Sequence, residues 1–187
     1  MKDLLLHACC GPCATVAVPA WRARGLEPLA WFGNPNIQPA AELERRLESM
    51  RRFSQAADLE LVVAGPAQES AWRAWAAELA TLPAEERCRT CLGLRLDEAG
   101  AAAARLGVER FATSLTVSPY QRHDLIAAAG AAAARRHGVT FLSFDLRERF
   151  RDSYAESRRL DLYRQPYCGC AASKWEAWQE RRRRRAG

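Results

Sequence analysis

Seven cysteines fall into three tight groups: Cys9 and Cys10 with Cys13, Cys88 with Cys91, and Cys168 with Cys170. Thiols at such spacings do two kinds of chemistry: they exchange disulfides, or as thiolates they bind soft and borderline metals. An odd number of cysteines in tight clusters argues against a structural disulfide framework. Met1-Lys2-Asp3 leads into a short apolar run, Leu4 to Leu6, too brief for a signal-peptide core or a membrane span. A cytoplasmic protein without a membrane partner is expected, its thiols reduced or bound to metal.

Three readings compete for the cysteines. Cys10-Gly11-Pro12-Cys13 spells a thioredoxin redox turn, in which a helix N-terminus lowers the pKa of the first thiol. That reading leaves five cysteines unexplained. A structural zinc site uses four thiolates in paired CxxC knuckles roughly 12 to 20 residues apart. Here some 74 residues separate Cys13 from Cys88, and three cysteines remain over. Adjacent Cys9 and Cys10 also fit one ion poorly, because neighbouring side chains diverge. In an iron–sulfur cubane each thiolate binds its own iron, so neighbours can reach two corners. The sequence favours an iron–sulfur site over zinc, with thiols to spare for a second centre or a redox disulfide.

The net charge of +6 is unevenly placed. Residues 1–146 hold 16 Lys/Arg against 16 Asp/Glu, and residues 147–187 hold 12 against 6. A basic end closing on Arg181 to Arg185 is the footprint expected for a polyanion such as RNA, or else a solvated helix end.

The elements that must position these residues alternate. Short apolar runs at 4–6, 29–32, 59–63, 111–115 and 140–144 read as strands. Helical patterns cover 14–24, 40–57, 68–79, the stretch from Cys91 through Leu106, and 121–137, with a basic C-terminal helix at about 171–187. Gly25, Gly107 and Gly138 read as helix stops. The pattern predicts one Rossmann-like α/β domain over residues 1–187, its mostly parallel sheet flanked by helices. Loops at the carboxyl ends of such strands hold ligands. The segments 7–13, 33–36 and 114–119 follow strands, so the cysteine loops are expected on one shared edge. No Gly-rich dinucleotide fingerprint or P-loop is present.

Five stretches resemble the cobalamin-independent epoxyqueuosine reductases of the QueH type: HACCGPC at 7–13, NPNIQPAAELERR at 34–46, RCRTCLGLRL at 87–96, FATSLTVSPYQ at 111–121 and LYRQPYCGCAAS at 162–173. They follow the family's order over most of the chain. The resemblance implies reduction of the epoxide of epoxyqueuosine in tRNA to queuosine, with a [4Fe-4S] cluster and an additional iron ion. It assigns Cys9, Cys10, Cys88 and Cys91 to the cluster. It makes Cys168 and Cys170 catalytic, either as ligands of the second iron or as a redox disulfide. Cys13 is assigned to the second centre with them.

Converting an epoxide to an alkene takes two electrons and two protons and releases water. A low-potential cluster supplies single electrons, and an iron with an open position acts as a Lewis acid. Electrons are expected from an external donor, and ATP is not expected to be needed. Tyr167 is the first choice of proton donor, with Tyr120, Tyr163 and His123 as rivals that could equally be packing or positioning residues. His7 is read as shaping the cysteine loop or bonding a cluster sulfur. Asn34, Asn36, Tyr163, Arg164 and Gln165 are the expected substrate contacts, with ordinary turn chemistry and a structural arginine as the rival readings. The anticodon loop of tRNA would be gripped by Arg158, Arg159, Arg164 and Lys174, with stacking from Tyr163, Tyr167, Trp175 and Trp178. Trp175 and Trp178, three apart on a helix, read equally as its buried face. A non-enzymatic zinc-containing RNA-binding protein and a thiol–disulfide oxidoreductase are the alternatives.

Overall fold

An apolar run with no alternating polar residues suits a strand buried on both faces, and Leu4-Leu5-Leu6 occupies the middle of a sheet. The computed structural model describes residues 2–65, 79 and 81–186. Its strands are β1 (Leu4–His7), β2 (Pro28–Phe32), β3 (Leu61–Val63), β4 (Arg110–Thr113) and β5 (Thr140–Phe141), in the spatial order β3-β2-β1-β4-β5. Every pairing is parallel, with Leu5 opposite both Leu29 and Phe111. The predicted α/β class and parallel sheet are thus observed.

The described helices are α1 (Gly11–Arg22), α2 (Ala40–Ala56), α3 (Ala84–Arg105), α4 (His123–His137), α5 (Phe150–Arg159) and α6 (Ala171–Ala186). α1 packs against α2 and α5, while α3 and α4 pack against each other. Right-handed crossovers put these two groups on opposite faces of the sheet. The alanine tracts serve that packing: Ala102, Ala103 and Ala133 are buried, and a methyl group on Gly100 would meet Ala133 Cβ at 3.4 Å. At the head of α1, a methyl on Gly11 would come within 2.5 Å of the Ser49 carbonyl oxygen. Only glycine lets the cysteine loop lie this close to α2.

From β1 the chain steps outward through β2 to β3, then returns to β4 on the other side of β1. The carboxyl edge between β1 and β4 is therefore the topological switch point, where open α/β sheets bind ligands. Cys9 and Cys10 follow β1 immediately, and Cys13 lies in the first turn of α1.

Several boundaries differ from expectation. Two strands are shorter, beginning at Leu61 rather than residue 59 and ending at Phe141 rather than 144. The strand read as 111–115 stops at Thr113, and residues Ser114–Val117 turn as a 3₁₀ helix. The helix expected after Cys91 starts at Ala84, behind Pro83 and with Glu85 and Glu86 favouring its N-terminal dipole, so Cys88 and Cys91 lie inside it. α5 was not anticipated, because its buried positions include Ser153 and Ser157 rather than an apolar stripe. Gly25, Gly107 and Gly138 take left-handed backbone with φ of 74°, 69° and 67°, as helix stops do. The helix expected at 68–79 lies, but for Leu79, outside the described residues. No described helix is long and apolar enough to cross a membrane.

Candidate metal centre

The first cysteine group is sealed in the core. Cys9, Cys10 and Cys13 are all buried, with Cys9 Sγ and Cys10 Sγ 3.9 Å apart. Hydrogen bonds from Cys10 and Cys13, helped by nearby Arg95, hold the Cys9 thiol well below its usual pKa against the cost of burial. Cys10 is pushed up to about 12: the hydrogen bond with Cys13 lowers it, but the Cys9 charge and burial outweigh that. Cys13 is raised well above the usual range by Cys10, Cys9 and burial. Of the three, Cys9 is the thiol favoured toward its thiolate form. Cys10, the first thiol of the CxxC, is thus raised, where a thioredoxin turn would lower it.

Beneath the loop, His7 closes a polar network at the end of β1. Its Nδ1 lies 2.8 Å from Thr113 Oγ1 and its Nε2 lies 3.2 Å from Asn34 Oδ1. Asn34 Oδ1 is an acceptor only, so Nε2 carries the proton and Nδ1 accepts from the Thr113 hydroxyl. Burial, then the charge of Arg95, lowers the His7 pKa to about 3, which keeps the ring neutral. Asn34 Nδ2 donates to the Ala8 carbonyl at 2.8 Å, fixing the residue before Cys9.

The second group comes from α3, where Cys88, Cys91 and Arg95 follow one helix face. Arg95 is 1 % exposed and donates from Nη2 to Asn34 Oδ1 at 2.9 Å. Its Nε and Nη1 have no hydrogen-bond partner among the described residues. The thiols of Cys91, Cys9 and Cys168, one from each cysteine segment, lie within its electrostatic reach. Burial pushes Cys91 up to about 12, although Arg95 pulls it down. Cys88 is raised by burial and by Cys168.

The third group sits on a loop pinned from α2. Arg46 is buried, donates to the carbonyls of Cys168 at 2.9 Å and Tyr167 at 3.0 Å, and pairs with Glu42 at 2.7 Å. Tyr163 donates its hydroxyl to the same Glu42 at 2.6 Å. The Gln38 amide donates to the Gly169 carbonyl at 2.8 Å, and the Tyr167 hydroxyl donates to the Gln38 carbonyl. Gly169 has φ of 147°, and a methyl there would meet Ile37 at 3.1 Å and Asn36 Nδ2 at 3.2 Å. Two amides reach sulfur: Gln165 Nε2 to Cys10 at 2.9 Å and Gln121 Nε2 to Cys168 at 3.3 Å.

All seven thiols are unbridged. Among the described residues, no three His, Cys, Asp or Glu side chains gather tightly enough to hold a single metal ion. The three segments nevertheless converge: Cys88 and Cys91 each interact electrostatically with Cys168 and Cys170, and Arg95 links them to Cys9.

The remaining expected residues divide by location. Asn36 is buried with both amide atoms unpartnered, next to the Gly169 turn, and Gln165 Oε1 is likewise unpartnered. Arg164 is engaged elsewhere, donating to the Ser153 carbonyl at 3.0 Å and Ser157 Oγ at 2.9 Å with its guanidinium over the Tyr154 ring. Tyr167 is pushed up to about 12, chiefly by burial and Glu42, and Tyr163 is raised by burial and Glu42. Both phenols hold their protons. Tyr120 is 83 % exposed and His123 bonds the Ser118 carbonyl. Trp175 and Trp178 are exposed, not the buried face of their helix. Sequence reasoning missed Arg95, Arg46, Glu42 and Gln121. The first three had a spacing signal: Arg95 is four residues past Cys91, and Glu42 and Arg46 are four apart.

A family model described as Epoxyqueuosine reductase QueH matches residues 4–176. The chain belongs to the QueH family. A relative from Dehalococcoides mccartyi named epoxyqueuosine reductase QueH is 38 % identical over 173 residues, 92 % of this chain and 93 % of that protein. Relatives of the same name from Thermotoga maritima and Streptococcus pyogenes are 29 % and 28 % identical, covering 94 % and 90 % of this chain and 92 % and 69 % of their own. The QueH match takes in all three cysteine segments and stops inside α6, before the arginine run.

Proposed function

We propose that this protein reduces the epoxide of epoxyqueuosine in tRNA to the alkene of queuosine, consuming two electrons and two protons and releasing water. The observation that carries the reading is the convergence of three cysteine segments on buried Arg95 at the switch point of the sheet, in a member of the QueH family.

The donor set fits iron and sulfur. It is all thiol, with no carboxylate among the seven, and the unpartnered Nε and Nη1 of Arg95 are the N–H donors that thiolates and sulfides accept. Thiols spread over three segments also suit a polynuclear cluster, which gives each ligand its own iron. Cys9, Cys10, Cys88 and Cys91 would hold a [4Fe-4S] cluster, and Cys13, Cys168 and Cys170 an additional iron. When bound, these groups supply single electrons at low potential and a Lewis acid; an external donor refills them.

The chain's own residues do the rest. Buried Arg95 offsets thiolate charge at Cys9, and neutral His7 keeps Asn34 aimed at Arg95 and Ala8. Asn36 and Gln165 Oε1 present unpaired polar atoms beside the cysteine loops, where a modified nucleoside would find partners. Tyr167 is protonated at neutral pH and acts as proton donor once its hydroxyl leaves the Gln38 carbonyl. Anaerobic turnover of epoxyqueuosine-containing tRNA with a chemical reductant tests the proposal. Digestion should yield a nucleoside lighter by one oxygen; an unchanged nucleoside with cluster-loaded protein would sink it.

A further inference from the structure

The C-terminal helix has a feature that a protein-only role leaves unused. Trp175 and Trp178 are 56 % and 39 % exposed, with rings stacked at 4.6 Å and 21°. The Arg182 guanidinium lies 4.8 Å from the Trp178 ring. Positions 175, 178 and 182 share one helix face, so the three planar groups form a ladder along α6 whose outer rung is the more exposed Trp175. Leaving two indoles in water is unfavourable, and stacking on each other and on an arginine only partly covers them.

Charge and placement say what covers the rest. α6 starts at Ala171, directly after Cys170, and Glu176 bonds Arg87 at 2.5 Å, tying the base of the helix to the residue before Cys88. Its 16 residues reach about 24 Å from the site. The far half carries Arg181 to Arg185, of which Arg184 pairs with Glu180. The sequence AASKWEAWQERRRRRA holds no Leu, Ile, Val or Phe. It therefore lacks the broad apolar face by which a helix enters a membrane surface.

We infer that α6 is an RNA-docking strut: Trp175 stacks on an unpaired base of the substrate RNA while Arg182, Arg183 and Arg185 follow the phosphates leading away from the metal centre. This rests on the proposed tRNA reaction. A planar aromatic ladder flanked by arginines is how proteins hold single-stranded nucleotides without reading sequence. The QueH family match ends at residue 176, inside α6 and ahead of the arginine run.

Fluorescence anisotropy of a labelled anticodon stem-loop RNA against the full-length, cluster-loaded protein tests the inference. Trp175→Ala should weaken binding by about tenfold. Substituting Arg182, Arg183 and Arg185 together by Gln should flatten the dependence of log K on log salt by about 2. Circular dichroism and the visible cluster absorption should stay as in the unsubstituted protein, which separates docking from folding. Binding within twofold of the parent protein with an unchanged salt slope in both variants would overturn it. So would variants that lose affinity for anionic lipid vesicles or an acidic peptide but keep it for RNA. If the parent protein binds the RNA through α6 but never reduces epoxyqueuosine, the reaction proposal fails and the docking surface stands.

Discussion

Arg95 is the residue on which the site turns. A guanidinium taken out of water costs several kcal/mol unless it is paired, and Asn34 satisfies only one of its nitrogen atoms. Cys9, held toward its thiolate, lies within electrostatic reach of the guanidinium, so Arg95 and that cysteine each make the other's burial tolerable. Replacing Arg95 by Gln removes a positive charge beside the proposed cluster, which would make adding an electron harder. The reduction potential should fall in a spectroelectrochemical titration, and Arg95→Lys should recover part of it. His7 gives a second prediction at this scale. Burial and Arg95 set its folded pKa at about 3, while the unfolded chain titrates near 6.5, so the unfolded state takes up a proton that the folded state refuses. Its contribution is fully present above pH 6.5 and is lost as pH falls toward 3. Thermal melts of the protein should shift down between pH 6.5 and 4.5, and His7→Gln should flatten that trend.

The loop 167–170 depends on the helix beneath it. Arg46 ties the Tyr167 and Cys168 carbonyls to Glu42, and Glu42 also takes the Tyr163 hydroxyl. Arg46→Ala leaves buried Glu42 without its charged partner, a change of about 3–5 kcal/mol. It should lower the melting temperature and raise amide exchange over Tyr167–Cys170. Gly169→Ala acts more locally, because alanine is strained at φ of 147° and would press on Ile37 and Asn36. If the proposed metal assignment holds, iron analysis of that variant should show the second iron lost and the [4Fe-4S] spectrum kept. The sequence disclosed these elements unevenly. Strands and cysteine loops were legible because apolar runs and thiol spacings are local signals. α5 was not, since its buried Ser153 and Ser157 look like surface residues. Arg95 stayed hidden because an arginine on a polar helix reads as solvent-facing, and only the fold brings Asn34 and Cys9 to it. Trp175 and Trp178 were open to two readings, stacking groups or a buried helix face, and only the fold shows them exposed.

At the scale of the whole molecule, the sheet order brings residues from both ends of the chain to one edge. The metal proposed there would join Cys9 to Cys170 across nearly the full sequence, so binding to the folded state alone would stabilise it by mass action. Anaerobic treatment with a strong iron chelator should lower the melting temperature, and re-addition of iron and sulfide should restore it. The charge distribution follows the same plan. The first 146 residues are balanced and build the sheet and most of the core, while the excess of basic groups is held on the last 41.

The Arg87–Glu176 ion pair joins the helix that carries Cys88 to the helix that carries the arginines. A polyanion drawn to α6 and an electron placed near Cys88 would each change the field at this pair, and free energy passed between two sites is reciprocal. Whatever factor RNA binding applies to the ease of reduction, reduction must apply to the affinity for RNA. The reaction would then carry its own release signal, read out along a single salt bridge.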